Sequence, residues 1–185
     1  MSEKVIFDSV IRAMFLGQID RLSPTALARI KGLGIDPTVK LLPAYPATTW
    51  AACAKALAEE LYPGLDPMEA TRRLAHGTVD TFANDFVGRA MFGLLKLIGA
   101  ERIARRMTQN FRSGSNYIET KLTRIREEPL TNELWINDVT GLPGFYLGLL
   151  QGGMHHSAGD HFLIELVRSD GVEAVYHMTQ TAQRA

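Results

Sequence analysis

The chain has 185 residues, 46% of them apolar and 22% charged, which is the make-up of one ordinary globular domain. Twenty basic residues balance twenty acidic ones, so no overall field draws nucleic acid or an anionic membrane. Cys53 is the only cysteine, which excludes an intrachain disulfide and a cysteine-based zinc cluster.

The opening "MSEKVIFDSV" lacks the apolar run of a signal peptide, and no stretch nears the roughly 18 apolar residues of a spanning helix. A cytoplasmic location is the expectation. The first third reads helical. Ser23-Pro24 sets an N-cap before a proline at the first helical position, and Leu27, Ile30 and Leu33 succeed it at helical spacing. Gly32 and Gly34 offer a stop, and "GIDPTVKLLPAYP" reads as a connector. Trp50 to Leu61 predicts a second helix, closed by Pro63-Gly64. Asp66-Pro67-Met68-Glu69 is the strongest helix start: Asp66 can accept orphan N–H groups, and Glu69 can reach back to the cap. Ala75, Val79, Phe82 and Phe86 continue it as one buried face. Gly88 and Gly99 are expected to divide the next stretch into shorter helices, running to about Phe111, and "RSGSN" ends the helical part.

After residue 116 the pattern turns to strands. "YIETKLTRI" and "ELWIND" alternate, and "HFLIELVR" and "VEAVYHMT" flank Ser169-Asp170-Gly171, a hairpin signal. One helix, about Leu142 to His156, lies between the two strand pairs. The expected fold is therefore α+β, in one domain over 1–185. A helical N-terminal half, 1–115, packs on a C-terminal antiparallel β-β-α-β-β sheet, 116–182.

That layout sets the candidate sites. Gly144, Gly148 and Gly152 recur every four residues and form a bare stripe on the last helix, for close packing or for a ligand. His155 and His156 fall in that helix's last turn, with Gly159 as the stop, where imidazoles complement free carbonyls. His161 begins the next strand. Adjacent histidines point about 100° apart on a helix, and the spacing matches no zinc signature, so no metal is expected. His76 and His177 read as locally satisfied side chains. No nucleophile elbow or phosphate-binding loop is present, so no catalytic residue is named.

Between Lys96 and Arg126 eight basic residues face only Glu101 and Glu119. Arg102, Arg105 and Arg106 share one helical face, and with Arg112 they form a candidate patch for an anion or an acidic partner, or a plain solvated face. Few aromatics interleave with it, which speaks against a single-stranded nucleic-acid platform.

"GIDPTVKLLPAYPATTW", "LYPGLDPMEATRRLAHGTVDTF", "FVGRAMFGLLKLIGAERIARRM" and "FRSGSNY" together resemble the myxobacterial paralogous family of domain of unknown function 2378, from about Val5 to Thr179. That resemblance implies a family and a lineage but no activity. The element order is also similar, more distantly, to haem–nitric-oxide-binding domains, four-vinyl-reductase domains and subunits of the transport-protein-particle tethering complex. "GFYLGLLQGGMHHSAGDHFLIELV" is similar to the haem domains' glycine-rich helix and last hairpin. Those domains carry a haem-ligating histidine on an earlier helix and a Tyr-x-Ser-x-Arg signature. Here Ala100 to Phe111 has no histidine, and "WINDVTGLPGFY" lacks the signature. The resemblance thus implies a pocket between helices and sheet, or merely the shared scaffold, without haem. The expected function is a non-catalytic sensory or small-molecule-binding module that takes a small apolar ligand. A scaffold domain that forms a homodimer or binds a protein partner is the alternative, and an enzyme comes third; neither nucleic acid nor membrane is expected as a partner.

Overall fold

Val5–Phe7 (β1) pairs antiparallel with Ala44–Pro46 (β2), Ile6 opposite Tyr45, in the computed structural model, which describes residues 3–98, 107–159 and 161–181. This small ribbon is not predicted from the sequence, which reads 34–46 as a plain connector. Strands of three residues are too short to show alternation, and Pro46 disguises one of them.

Between the two strands lie Asp8–Phe15 (α1), a 3-10 turn at Ile19–Arg21, and Pro24–Gly32 (α2). The α2 start is as expected: the Ser23 hydroxyl accepts the Ala26 N–H at 3.1 Å. Ala47–Leu61 (α3) begins a turn before Trp50, directly after Pro46. Pro67–Asn84 (α4) opens on Asp66, whose carboxylate accepts the Met68 N–H at 2.9 Å and the Glu69 N–H at 3.4 Å. Glu69 does not close the capping box. Arg72 and Arg73 each hold its carboxylate at 2.7 Å, and charge-assisted bonds win over a neutral backbone N–H.

The next break falls at Asp85, not at Gly88. Gly88 lies inside Phe86–Ile98 (α5), where a Cβ would stand 1.8 Å from the Phe82 carbonyl oxygen. Its bareness lets α5 fold tightly back on the end of α4. Gly99 lies outside the described residues. Met107–Arg112 (α6) comes next, and the turn after it is pinned to β1 by the Phe7 N–H donating to the Gly114 carbonyl, 2.9 Å.

The C-terminal half matches the expected β-β-α-β-β. Thr120–Arg126 (β3), Thr131–Ile136 (β4), Phe162–Ser169 (β5) and Ala174–Gln180 (β6) form one antiparallel sheet in the order β3-β4-β6-β5. Leu134 faces Tyr176 and Ile164 faces Met178, and all four are buried on the same side. The hairpin between β5 and β6 turns on Asp170, which accepts the Val172 and Glu173 N–H groups at 2.8 and 2.7 Å, and on Gly171 at φ 89°. Pro143–Ala158 (α7) crosses the buried side of this sheet, held by the Tyr176 hydroxyl donating to the Pro143 carbonyl at 2.8 Å.

Trp50, Leu57, Leu74, Phe145, Tyr146 and Tyr176 are almost fully buried where α3, α4 and α7 meet the sheet. Each large side chain buried there contributes about 1.5–3 kcal/mol. No helix among the described residues is long and apolar enough to cross a membrane.

Candidate functional site

The packing of α4 on α7 decides where free space is left. Along the stripe, a Cβ on Gly144 would sit 2.2 Å from the Met68 carbonyl oxygen, and one on Gly148 would sit 2.0 Å from the Arg72 carbonyl oxygen. A Cβ on Gly152 would meet the Val79 side chain at 2.9 Å. Gly144 and Gly148 therefore place two helix backbones in direct contact, and Gly152 makes room for the Val79 side chain. Gly153, one residue on, turns elsewhere: a Cβ there meets nothing within 4 Å.

Gly153 faces a cavity of about 410 Å³. Its walls come from Ile6 on β1, Val10 on α1, Trp50 on α3, Val79 and Phe82 on α4, Phe92 on α5, Phe111 on α6, and Phe145 and Leu149 on α7. Ligand pockets commonly span about 300–1,000 Å³ and are mostly apolar with a few placed polar groups. The polar lining groups divide in two. Ser9, Asn110 and Ser113 are exposed and mark the mouth, whereas Thr78 and Ser115 are buried. The Thr78 hydroxyl donates to the Leu74 carbonyl at 2.8 Å and the Ser115 hydroxyl to the Phe111 carbonyl at 3.0 Å. The Trp50 indole N–H is buried with no hydrogen-bond partner among the described residues. Burial drives the Tyr146 phenol far above the ordinary tyrosine range, with the neighbouring Tyr117 and Asp138 adding to it.

The histidines are not on this lining. His156 Nε2 lies 2.8 Å from Asp80 Oδ1, and His76 Nδ1 lies 3.0 Å from Asp80 Oδ2, so one carboxylate of α4 joins both imidazoles. Burial pushes the Asp80 carboxyl up, but the bonds and charges of His156 and His76 outweigh it and hold it below the usual aspartate range. The His155 ring stands 5.0 Å from that of His156, and the Phe92 ring stands 5.3 Å from His156. Phe92, which also lines the cavity, thus touches both the cavity and this polar cluster. Sequence reading places His155 and His156 at a helix end but misses the partner of His156. The pairing of His76 with Asp80 is visible as a four-residue spacing; the pairing of His156 with Asp80 spans two helices and leaves no local signal. His177 lies 3.5 Å from Glu133 on the neighbouring strand. His161 stands just before β5, where its carbonyl accepts the Thr181 N–H at 2.8 Å. Among the described residues no group of three histidine, cysteine or acidic side chains could hold a metal ion.

Of the basic segment, Arg102, Arg105 and Arg106 lie outside the described residues. Arg112 pairs with Glu119 at 2.9 Å across the start of β3, with both side chains exposed.

Comparison with known proteins places the fold. No curated protein matches the chain. Among solved structures, an H-NOX domain designated Cs, carrying an unnatural 4-cyano-L-phenylalanine, aligns at a TM-score of 0.67 and 12% identity over 96% of this chain and 97% of that one. An oxygen-binding H-NOX domain related to soluble guanylate cyclases aligns at 0.63 and 13% identity over 94% of both chains. A point mutant of T. tengcongensis H-NOX aligns at 0.58 and 12% identity over 96% of this chain and 98% of that one. At such identities the likeness is one of fold.

Haem is associated with that family, so the cavity's fit to it can be tested. Protein-bound haem takes an axial imidazole, thiolate, thioether or phenolate, and its propionates favour cations. The described lining residues include no histidine, cysteine, lysine or arginine. Burial keeps the Tyr146 phenol protonated, and Met91, the one sulfur donor among them, sits partly exposed at the rim. This lining does not fit a haem. The family profile described as protein of unknown function (DUF2378) matches residues 4–179, nearly the whole chain, and the chain belongs to that family.

Proposed function

We propose that this chain is a non-catalytic sensory module that binds a small apolar molecule in the cavity between its helices and α7. The cavity of about 410 Å³ carries this reading, because its walls are drawn from six helices and any occupant would touch most of the helical half. The oxygen-binding H-NOX relative in fold supports a sensing role by analogy of scaffold. A non-catalytic role is supported by Cys53, whose thiol is buried and pushed up to about 11, so it is no nucleophile at neutral pH. A cytoplasmic setting, and the myxobacterial lineage of the family, are part of the same proposal.

A second reading, an interaction domain that dimerises, is favoured by Phe86 and Leu94, which stand 78% and 64% exposed on α5. Native mass spectrometry of the purified protein separates the two. A monomer carrying a small extra mass, lost on denaturation and reduced in Gly153→Leu, is the expected result. A ligand-free dimer would move the function to the α5 surface.

A further inference from the structure

The α5 helix is apolar on two faces, and only one of them is covered. Gly88 and Phe92 are buried on the side that meets the end of α4 and the cavity. Phe86, Ala90 and Leu94 recur every four residues and share another face, where all three are exposed. Gly93 beside them has open space where a Cβ would stand. A helix buried on one side ordinarily turns charged or polar residues to the other. In α5 the only polar residues are Arg89 and Lys96, and no acidic, amide or hydroxyl side chain occurs in it. Arg89 is exposed. From Asp85 to Arg112 the chain has six basic residues and two acidic ones, a net +4, and the other residues carry −4, so the neutral total hides a local excess. The basic stretch begins where α5 ends, and four residues of chain cannot carry Arg102 farther than about 14 Å from Ile98.

Charge and shape together select what covers this face. A second copy meeting it about a two-fold axis would set a net +4 against a net +4, so like charges oppose that contact. The stripe of Phe86, Ala90 and Leu94 is convex and offers no side-chain hydrogen bond by which a protein partner would be recognised. A bilayer surface needs none: it takes exposed phenylalanine and leucine at the boundary of its acyl chains and holds cations by its anionic headgroups. We infer that the exposed face of α5 docks on the surface of an anionic lipid bilayer. Phe86 and Leu94 enter the headgroup–acyl boundary, and Arg89 and the positive charge of the following segment draw the face to the headgroups. The contact is with the surface and not a span, and the net −4 of the remaining chain turns the rest of the molecule away from it. It does not depend on the cavity being filled.

Co-sedimentation of the full chain with vesicles tests this, using phosphatidylcholine alone and phosphatidylcholine with about 30 mol% phosphatidylglycerol. Binding to the anionic vesicles is expected to be at least about tenfold tighter than to the neutral ones and to fall as salt rises from about 0.1 to 0.5 M. Phe86→Ser with Leu94→Ser is expected to weaken it at least about tenfold, since both remove apolar surface from the boundary. Arg89→Glu is expected to weaken it about fivefold or more, the worth of a charge near such a surface. These side chains are exposed, so the unfolding curves of both variants should match wild type, which separates a lost contact from a lost fold. Should the apolar variant fail to fold, the lipid comparison and Arg89→Glu decide. No binding to either vesicle, equal binding to both, or anionic binding unchanged in the apolar variant would overturn the inference. A dimer without vesicle binding, dissolved by the apolar variant, would overturn it in favour of a second copy. Binding to poly-L-glutamate as tight as to the anionic vesicles would overturn it in favour of an acidic protein.

Discussion

At the scale of single residues, two glycines of α7 do opposite things. A Cβ on Gly148 would collide with the Arg72 backbone at 2.0 Å, whereas one on Gly153 meets open space. Helix propensity alone favours alanine over glycine by about 1 kcal/mol at both. Gly148→Ala should nevertheless destabilise the protein by about 1–3 kcal/mol, the usual cost of overpacking, while Gly153→Ala should be neutral or stabilising by up to about 1 kcal/mol. Urea denaturation of both variants checks this, and equal effects would contradict the backbone contact. The four-residue spacing of Gly144, Gly148 and Gly152 is legible in the sequence as a bare stripe. What the stripe faces is not, because the partner surface on α4 lies some 75 residues away in sequence. Glu69 supplies a second test. The Arg72 and Arg73 hydrogen bonds and charges, against a smaller opposing effect of desolvation, lower its carboxyl to about 2. A depressed carboxyl stabilises the fold above its ordinary range near 4.5 and loses that contribution as pH falls toward 2. Glu69→Gln should therefore cost about 1 kcal/mol at neutral pH, as part-exposed ion pairs do, with the gap to wild type closing below about pH 3. A pH-independent gap would assign the loss to packing.

At the scale of elements, the helix starts are the most legible features. Ser23 and Asp66 cap where the sequence says they do, because capping depends on the residues immediately around the cap. Asp66→Ala should cost about 0.5–2 kcal/mol in thermal or denaturant unfolding, and Asp66→Asn much less, since an amide oxygen also caps. Helix ends are harder to read. α4 stops at Asn84 rather than near Gly88, since Gly88 is used for close approach to the Phe82 carbonyl rather than for a turn. The β1–β2 ribbon is invisible locally, since its strands meet only when residues about 40 positions apart pair. The C-terminal β-β-α-β-β order is fully legible: each strand of the sheet is long enough to show alternation, and Asp170-Gly171 announces the hairpin.

At the scale of the whole molecule, helices covering one side of an antiparallel sheet are implied by element order, but the cavity is not. Its wall residues run from Ile6 to Gly153 and belong to no single pattern; Trp50 reads in sequence only as the start of a helix. The basic segment is the reverse case, legible as charge but with Arg102, Arg105 and Arg106 outside the described residues. If it meets an acidic surface of a partner or of a second copy, Arg102→Glu with Arg106→Glu should weaken association at low salt and leave unfolding within about 1 kcal/mol of wild type per site. Sedimentation of both proteins at low and high salt reads this, and identical, salt-independent behaviour would leave the segment as a solvated face. The central claim is that an apolar space between the helices and α7 accepts a guest. Diffraction from crystals pressurised with xenon, which enters dry apolar cavities, tests it most directly. The account predicts xenon beside Val79, Phe92, Leu149 and Gly153; a closed interior there, with no bound xenon, would contradict it.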